Sequence, residues 1–210
     1  MKQEILNRIK QLGGNIDKVQ SRSLQEDLLS ISFNTVLFLK PEDTPWQTAN
    51  NTEPIYGLGE WVDANMGLLK FDKETFYKKM LDTYYTLDKE PRMQRFWVAR
   101  SFTPFREGTN DFDEWNDWFS EETDLNKILQ HSNSSTPDFV ELLYTDSYPN
   151  HYYICLSDLN PDNPTIWSTD HEAFFIDVTN EGTLEEFLNK CMTKDELIDI
   201  VMLKFEQQGM

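Results

Sequence analysis

The sequence predicts an α+β fold, and three observations predict it. Helical periodicity dominates the first half of the chain, four short apolar runs separated by turn signals follow it, and two helices with capping-box patterns end the chain. Short connections between strands favour antiparallel pairing. We therefore expect an antiparallel sheet of about four or more strands in the C-terminal half, packed with helices from the N-terminal region and two C-terminal helices.

The first part of the chain contains two predicted helices and a loop. Apolar residues at helical spacing predict an amphipathic helix over 2–12, which the following glycine pair ends. Ser23, with Glu26 three residues later, is a capping-box pattern at the start of a second helix. Residues 30–40 are compatible with a helix continuation or with a strand. Residues 41–54 contain three prolines and are predicted to be a loop.

Two further helices are predicted after this loop. Residues 55–71 carry apolar side chains at helical spacing, and Asp72 is placed to cap a helix over 73–87. Pro91 ends this second helix, because a proline disfavours helical backbone in the residue before it. The expected apolar face of the second helix is Phe76, Met80, Tyr84 and Leu87.

An aromatic stripe follows a predicted strand at 94–102. Residues 108–123 place aromatic side chains at helical spacing, and acidic side chains fall largely on the other faces. The stripe either packs into the core or forms an exposed aromatic anchor for a partner. The aromatic residues are Phe112, Trp115, Trp118 and Phe119, and the acidic residues are Asp111, Asp113, Glu114 and Asp117.

The C-terminal part of the chain changes from helical patterns to short apolar runs. Turn-forming residues separate these runs, which is typical of strands in an antiparallel sheet. Two capping-box patterns then predict two final helices, one with Thr183 and Glu186 and one with Thr193 and Glu196. The predicted strands are 138–145, 151–157, 164–169 and 173–179.

The net charge of −18 is concentrated in one part of the chain. Residues 107–189 contain 19 acidic residues and one basic residue, Lys127, whereas the charges of the remaining residues sum to zero. Such a stretch creates a negative potential that repels nucleic acid and anionic membranes and attracts a basic protein. The acidic residues could instead serve solubility alone, and both interpretations remain open.

Several classes of protein are not expected from this sequence. It has no apolar run long enough to span a membrane, and its charged start lacks the apolar core of a signal peptide. Cys155 and Cys191 have no C-x-x-C partner, so we expect two thiols in a reducing cytoplasm. Phosphate-binding glycine motifs are absent as well. We therefore expect no metal and no cofactor.

Asp170, His171 and Glu172 stand side by side and are the residue types of acid–base and metal sites. Neighbouring side chains of a strand point to opposite faces, and a metal would need further ligands from distant segments. We therefore favour a polar turn over a catalytic or metal site. Residues 158–164 resemble only the first half of a calcium loop and are expected to form a hairpin turn.

Residues 152–188 resemble the SUKH superfamily, which includes cell-wall glucan-synthesis regulators of eukaryotes and many bacterial proteins. The matching features are the strand "YYICLS" with its Asp158, the strand "TIWSTDHE", an acidic turn and the helix "TLEEFL". In the family the middle strand resembles aromatic–x–x–Asp–His–Glu. The resemblance implies one SUKH-like domain over 1–210 with a helical insertion at about 55–130. The residues that fill the pattern are Trp167, Asp170, His171 and Glu172.

The resemblance implies a non-enzymatic binding module. Many bacterial members are immunity proteins that neutralise toxins, often nucleases, and eukaryotic members are interaction hubs in cell-wall signalling. We therefore expect a cytoplasmic immunity protein that uses its acidic region to bind a basic, nuclease-type toxin of a bacterial polymorphic toxin system. A regulatory scaffold is the alternative, and a hydrolase using Asp170, His171 and Glu172 is a third hypothesis. The candidate partner-binding residues are Asp113, Trp115, Asp117, Trp118, Asp158, Asp162, Asp170 and Glu172.

Overall fold

The computed structural model describes residues 1–41, 55–88, 90–120 and 123–207. The strands are β1 (Gly14–Asn15), β2 (Ser32–Phe33), β3 (Phe38–Leu39), β4 (Arg95–Phe102), β5 (Phe139–Thr145), β6 (His151–Cys155), β7 (Thr165–Thr169), β8 (Thr179–Thr183) and β9 (Cys191–Met192). The helices are α1 (Gln3–Gln11), α2 (Leu24–Ser30), α3 (Leu58–Phe71), α4 (Lys73–Tyr84), α5 (Asn110–Trp115), α6 (Leu125–Leu129), α7 (Leu184–Lys190) and α8 (Lys194–Gln207), and a 3₁₀ turn spans Trp118–Ser120.

Strands β4 to β8 form one antiparallel sheet in which each strand pairs with the next along the chain. Two short antiparallel pairs, β1 with β2 and β3 with β9, lie outside this sheet. The predicted α+β class, with an antiparallel sheet and C-terminal helices, is confirmed. The meander follows from the short turns between β5, β6 and β7, which leave no room for a crossover helix.

Helices α1, α2 and α7 contribute to the apolar cluster on one face of the sheet, because the apolar stripe of each helix points toward the strands. The strands meet them with the side chains that alternate toward this face. Buried members of this cluster include Ile5, Ile9, Leu28, Val140, Tyr152, Ile154, Ile166 and Phe187.

The opposite face of the sheet is packed by α5, the 3₁₀ turn, α6 and the segment between β7 and β8. This second cluster is largely aromatic, so it buries a large apolar area with few residues. Its buried members include Phe102, Phe119, Ile128, Phe139, Tyr153, Trp167, Phe174 and Phe175. A third cluster holds α3, α4 and α8 together around β3 and β9.

The local helix signals of the sequence are confirmed where they depend on neighbouring residues alone. The Asp72 Oδ1 atom accepts a hydrogen bond from the Thr75 amide at 3.0 Å and begins α4. Thr183 and Glu186 exchange the two bonds of a capping box at the start of α7. Each cap supplies an acceptor to an amide that has no partner within its helix.

Residues 173–179 do not form the predicted strand but make a turn, and β8 begins only at Thr179. Consecutive Phe174 and Phe175 are both buried in the same aromatic cluster, which the alternation of a strand forbids. Phe175 adopts a φ of 54°, and its amide donates to the Thr169 Oγ1 atom at 2.9 Å. The burial of both rings therefore determines the backbone conformation of this segment.

The structure adds detail to the expectations for the helical half and corrects one of them. The helix predicted over 73–87 ends at Tyr84, and Leu87 is exposed instead of lying on its apolar face. The sequence of residues 30–40 is compatible with a helix continuation or a strand, and after Ser30 these residues contain β2 and β3. Most of the loop predicted at 41–54 lies outside the described residues. The stretch 55–130, expected as a helical insertion, also contains β4 and so contributes a strand to the central sheet.

Glu196 links the start of α8 to two distant segments and yields a stability prediction. Burial opposes its ionisation, but hydrogen bonds from Lys40 and the Thr193 amide, together with the charge of Arg8, lower the pKa of Glu196 to about 2. Its contribution is therefore complete above the unfolded-state pKa of about 4.3 and is lost as the pH falls toward 2. We expect Glu196→Gln to lower the free energy of unfolding at pH 7 by about 1 kcal/mol, since the side chain is partly exposed.

Urea unfolding at pH 7 and at acidic pH would measure this effect. The difference between wild type and Glu196→Gln should shrink on acidification. Asp199→Asn removes an exposed carboxylate from the same helix and is the matched control, with an expected change within about 0.5 kcal/mol. A Glu196→Gln penalty that is equal at both pH values would show that the ionised carboxylate is not the cause.

Candidate functional site

Two of the segments that the sequence singled out meet on the surface. The ring of Trp115, at the end of α5, lies 4.4 Å from the ring of Phe174 between their centroids. The Trp118 Nε1 atom donates a hydrogen bond to the Phe174 carbonyl oxygen at 2.8 Å. The acidic aromatic segment and the turn after β7 therefore form one continuous surface, although more than fifty residues separate them in sequence.

This surface combines exposed apolar side chains with carboxylates. Trp118 is 40% exposed and Ile176 is 47% exposed, so both present apolar area to a partner. Trp115 is half-buried. The carboxylate residues on the two segments are exposed as well. We call this set the acidic–aromatic surface, and it consists of Asp113, Trp115, Asp117, Trp118, Glu172, Ile176 and Asp177.

The aromatic stripe of 112–119 is divided between core and surface. Phe119 is buried, whereas Trp118 faces outward, because α5 ends at Trp115 and the 3₁₀ turn changes the direction of the following side chains. The rings of Trp115 and Trp118 stand at 90° to each other, with centroids 6.4 Å apart. The hydrogen bond to Phe174 fixes the indole of Trp118 before any partner arrives, which lowers the entropy cost of binding.

Lys127 is 52% exposed and already has carboxylate partners at this surface. It bonds Asp124 and lies 3.8 Å from the carboxylate of Asp177. Hydrogen bonding to Lys127 is the main reason that the pKa of Asp124 is lowered. The Asp124 amide also donates to the Phe175 carbonyl at 2.9 Å, which attaches the start of α6 to the turn. Lys127 therefore stabilises the surface but offsets little of its negative charge.

Asp170, His171 and Glu172 lie in a turn, as the sequence favoured. The Asp170 Oδ1 atom accepts a hydrogen bond from the Glu172 amide at 2.6 Å. The His171 Nδ1 atom lies 2.6 Å from the Asn150 Oδ1 atom and 3.2 Å from the Asp170 carboxylate. The side chain of His171 is 64% exposed, so this geometry gives no support to an enclosed general base.

Trp167, the remaining member of that motif, is a core residue of the sheet. Trp167 on β7 is 3% exposed and packs in the aromatic cluster, 5.4 Å from the ring of His131. Within the part of the chain that the structure describes, no group of three or more His, Cys, Asp and Glu side chains is placed to hold a metal ion. The pattern from Trp167 to Glu172 therefore builds the end of β7 and the turn that follows it.

Asp158 and Asp162 do not belong to the acidic–aromatic surface. Asp158 is 5% exposed, and its two carboxylate oxygens accept the amides of Asn160 and Thr165 at 2.7 and 3.0 Å. It shapes the hairpin turn and is not accessible to a partner. Asp162 is exposed, but its carbonyl accepts the Lys2 amide, which places it beside α1 on the opposite side of the sheet. We therefore remove both residues from the partner-binding candidates.

The sequence reasoning missed a buried ionic cluster on the strands. The Glu141 carboxylate accepts bonds from the Arg100 Nη2 atom at 2.8 Å and pairs with the His151 Nδ1 atom at 2.8 Å. Burial alone would raise the pKa of Glu141, but hydrogen bonds from His151 and Arg100 outweigh burial and lower it. Asp111 lies 3.8 Å from Arg100 and extends the cluster toward α5. The sequence signal that could have indicated this cluster is Glu141 itself, a single acidic residue within the apolar run of β5.

Two general findings complete the description of the site. Over residues 1–41, 55–88, 90–120 and 123–207, no helix is both long enough and apolar enough to cross a membrane. Comparison of this chain with protein-family models, with curated proteins and with solved structures finds no match. The surface geometry and the physical chemistry of its residues therefore carry the functional argument.

Proposed function

We propose that this chain is a protein-binding module that engages a basic protein through the acidic–aromatic surface. The observation that carries the proposal is the exposed indole of Trp118, held by the Phe174 carbonyl of the turn that also exposes Ile176, with carboxylates on both contributing segments. Tryptophan is enriched among the residues that dominate binding energy, because it buries a large area with little loss of freedom. The carboxylates supply charge complementarity around it.

The chemistry of this surface suits a partner that binds nucleic acid. A nuclease carries lysine and arginine residues that contact the phosphates of its substrate. The carboxylates of an acidic protein surface can take the place of those phosphates. Together with the resemblance of residues 152–188 to the SUKH superfamily, this supports a cytoplasmic immunity protein that neutralises a nuclease-type toxin. A regulatory scaffold would use the same surface for a different basic partner, so the identity of the partner distinguishes the two.

A binding experiment with a purified basic nuclease domain, taken from a neighbouring toxin-like gene where the genome carries one, tests the proposal. We expect Trp118→Ala to weaken the complex by about tenfold or more, because the variant removes the central anchor. Tyr56→Ala is the matched control, since Tyr56 is 65% exposed but lies next to α3, outside the acidic–aromatic surface. The measurement is a titration by calorimetry with both purified variants.

A salt series provides the second arm of the experiment. The affinity of the wild type should fall steeply as salt rises, because exposed charges interact less strongly in a screened solution. Asp113→Asn with Asp117→Asn should reduce the slope of this dependence. An affinity that changes neither with salt nor in the Trp118→Ala variant would contradict the proposed surface. Failure of the toxin domain to bind at any salt would favour the regulatory scaffold.

A further inference from the structure

A second site lies among helices α3, α4 and α8, which do not contribute to the acidic–aromatic surface. A cavity of about 270 Å³ opens between them. Leu69 and Phe205 are buried and form its floor, while Met202 is 40% exposed at its edge. Met66 and Tyr77 complete an apolar lining. Methionine side chains are flexible and polarisable, so these walls can adapt to the shape of an apolar ligand.

Two lysines line this cavity. Lys70 lies in the last turn of α3, Lys73 begins α4, and both are exposed lining residues. Across the described ranges of the chain, no carboxylate oxygen lies within 4.0 Å of either ammonium group, whereas Lys40 and Lys127 each have such a partner. In a chain with 37 acidic residues and a net charge of −18, two neighbouring lysines to which no described carboxylate is paired are an unusual feature of an apolar cavity.

The polar groups at the edge of the cavity are compatible with an anion. The Tyr77 hydroxyl group can donate a hydrogen bond, and burial, followed by the charge of Glu206, raises the pKa of Tyr77 further above neutral pH. Glu206 also lines the cavity and repels anions, but two ammonium groups oppose this single carboxylate. Among the side chains that line the cavity, the charge balance is therefore positive, in contrast to the charge of the whole chain.

We propose that this cavity binds a small amphipathic anion, a carboxylate on an apolar chain of medium length. The apolar part fills the space between Met66, Met202 and Phe205, and the carboxylate lies at the ammonium groups of Lys70 and Lys73. The cavity volume is just below the roughly 300–1,000 Å³ of small-molecule sites, so the buried part of the ligand is short. This inference is independent of the proposed partner surface.

The test compares two ligands that share an apolar chain but differ in the sign of the head group. Decanoate and decyltrimethylammonium are titrated below their micelle-forming concentrations into protein with isotope-labelled methionine methyl groups. Non-specific attraction to a chain of charge −18 favours the cation, whereas the proposed site favours the anion. We expect decanoate to bind more tightly and to shift the methyl signals of Met66 and Met202 selectively.

Paired charge-removal variants separate the site from the overall charge. Lys70→Gln with Lys73→Gln should weaken decanoate binding by about tenfold, because two ion pairs are lost. Lys78→Gln with Lys79→Gln changes the net charge equally at exposed positions that do not line the cavity, and should leave the affinity unchanged. Tighter binding of the cation would overturn the proposal, as would equal effects of the two double variants or unshifted signals of Met66 and Met202.

Discussion

Phe102→Ala is expected to lower the free energy of unfolding by about 3–5 kcal/mol, because it removes the central ring of the aromatic cluster and leaves a cavity. Phe102 is 1% exposed at the end of β4. Its ring packs near rings from four other parts of the chain, so the surrounding structure cannot collapse easily into the space. The neighbouring rings are Phe119, Phe139, Tyr153, Phe174 and Phe175, with centroids between 5.4 and 6.2 Å away.

Equilibrium unfolding in urea, followed by circular dichroism, measures this loss. Phe71→Ala is the matched control, because Phe71 is 93% exposed and its truncation should change stability by less than about 0.5 kcal/mol. Phe102 also packs against Phe174, whose carbonyl fixes Trp118. The near-ultraviolet signal of the tryptophans should therefore weaken in folded Phe102→Ala. A penalty no larger than that of Phe71→Ala would show that the cluster repacks without this ring.

The parts of the fold that the sequence could predict are those decided by neighbouring residues. Strands β5, β6 and β7 are apolar runs bounded by turn residues, and their composition leaves little choice of structure. The caps at Asp72 and Thr183 each use a hydrogen bond between a side-chain carboxylate and a backbone amide three residues away. Such contacts form in the same way whatever the rest of the chain does.

The parts that it could not predict are decided by distant residues. Residues 173–179 are apolar enough for a strand, but Phe174 and Phe175 both turn toward Phe102, which lies some seventy residues earlier. Periodicity reports that a segment is buried, and it does not report which element will pack against it. The same limit applies to Trp118, whose exposure depends on the end of α5 and on the carbonyl of Phe174.

Chemically identical residues of the candidate site received different environments. Asp158 and Asp162 belong to one acidic turn. Asp158 is buried and its carboxylate accepts hydrogen bonds from two backbone amides, whereas Asp162 is exposed. Glu141 was counted in the sequence only as one acid among many in 107–189. Its partners, Arg100 on β4 and His151 on β6, become neighbours only through the register of the sheet. Sequence composition therefore predicted the charge of the region but not the role of each carboxylate.

Glu141→Gln is expected to lower the free energy of unfolding at pH 7 by about 2–3 kcal/mol, because it keeps the size of the side chain and removes its charge. Only 7% of the Glu141 side chain is exposed, and it lies 2.8 Å from both the Arg100 and the His151 nitrogen atoms. The expected loss is below that for breaking a fully buried pair, since Arg100 is 59% exposed and regains water when its partner is lost.

The pH dependence identifies the ionised carboxylate as the cause. Because the pKa of Glu141 is lowered in the folded protein, its contribution is complete above the unfolded-state value of about 4.3 and is lost as the pH falls through the folded value. The difference in stability between wild type and Glu141→Gln should therefore be largest near neutral pH and should shrink in acid. Glu172→Gln, at an exposed position of the turn, is the matched control and should show no such trend.

A double-mutant cycle with Arg100→Gln then separates the pair from the rest of the cluster. If Arg100 and Glu141 stabilise the fold through each other, the two losses will add to more than the loss in the double variant. The remaining penalty of Glu141→Gln in the Arg100→Gln background reports the bond with His151. Equal stability of wild type and Glu141→Gln at neutral pH would contradict a stabilising role, because the desolvation of the carboxylate would then cancel its bonds to both partners.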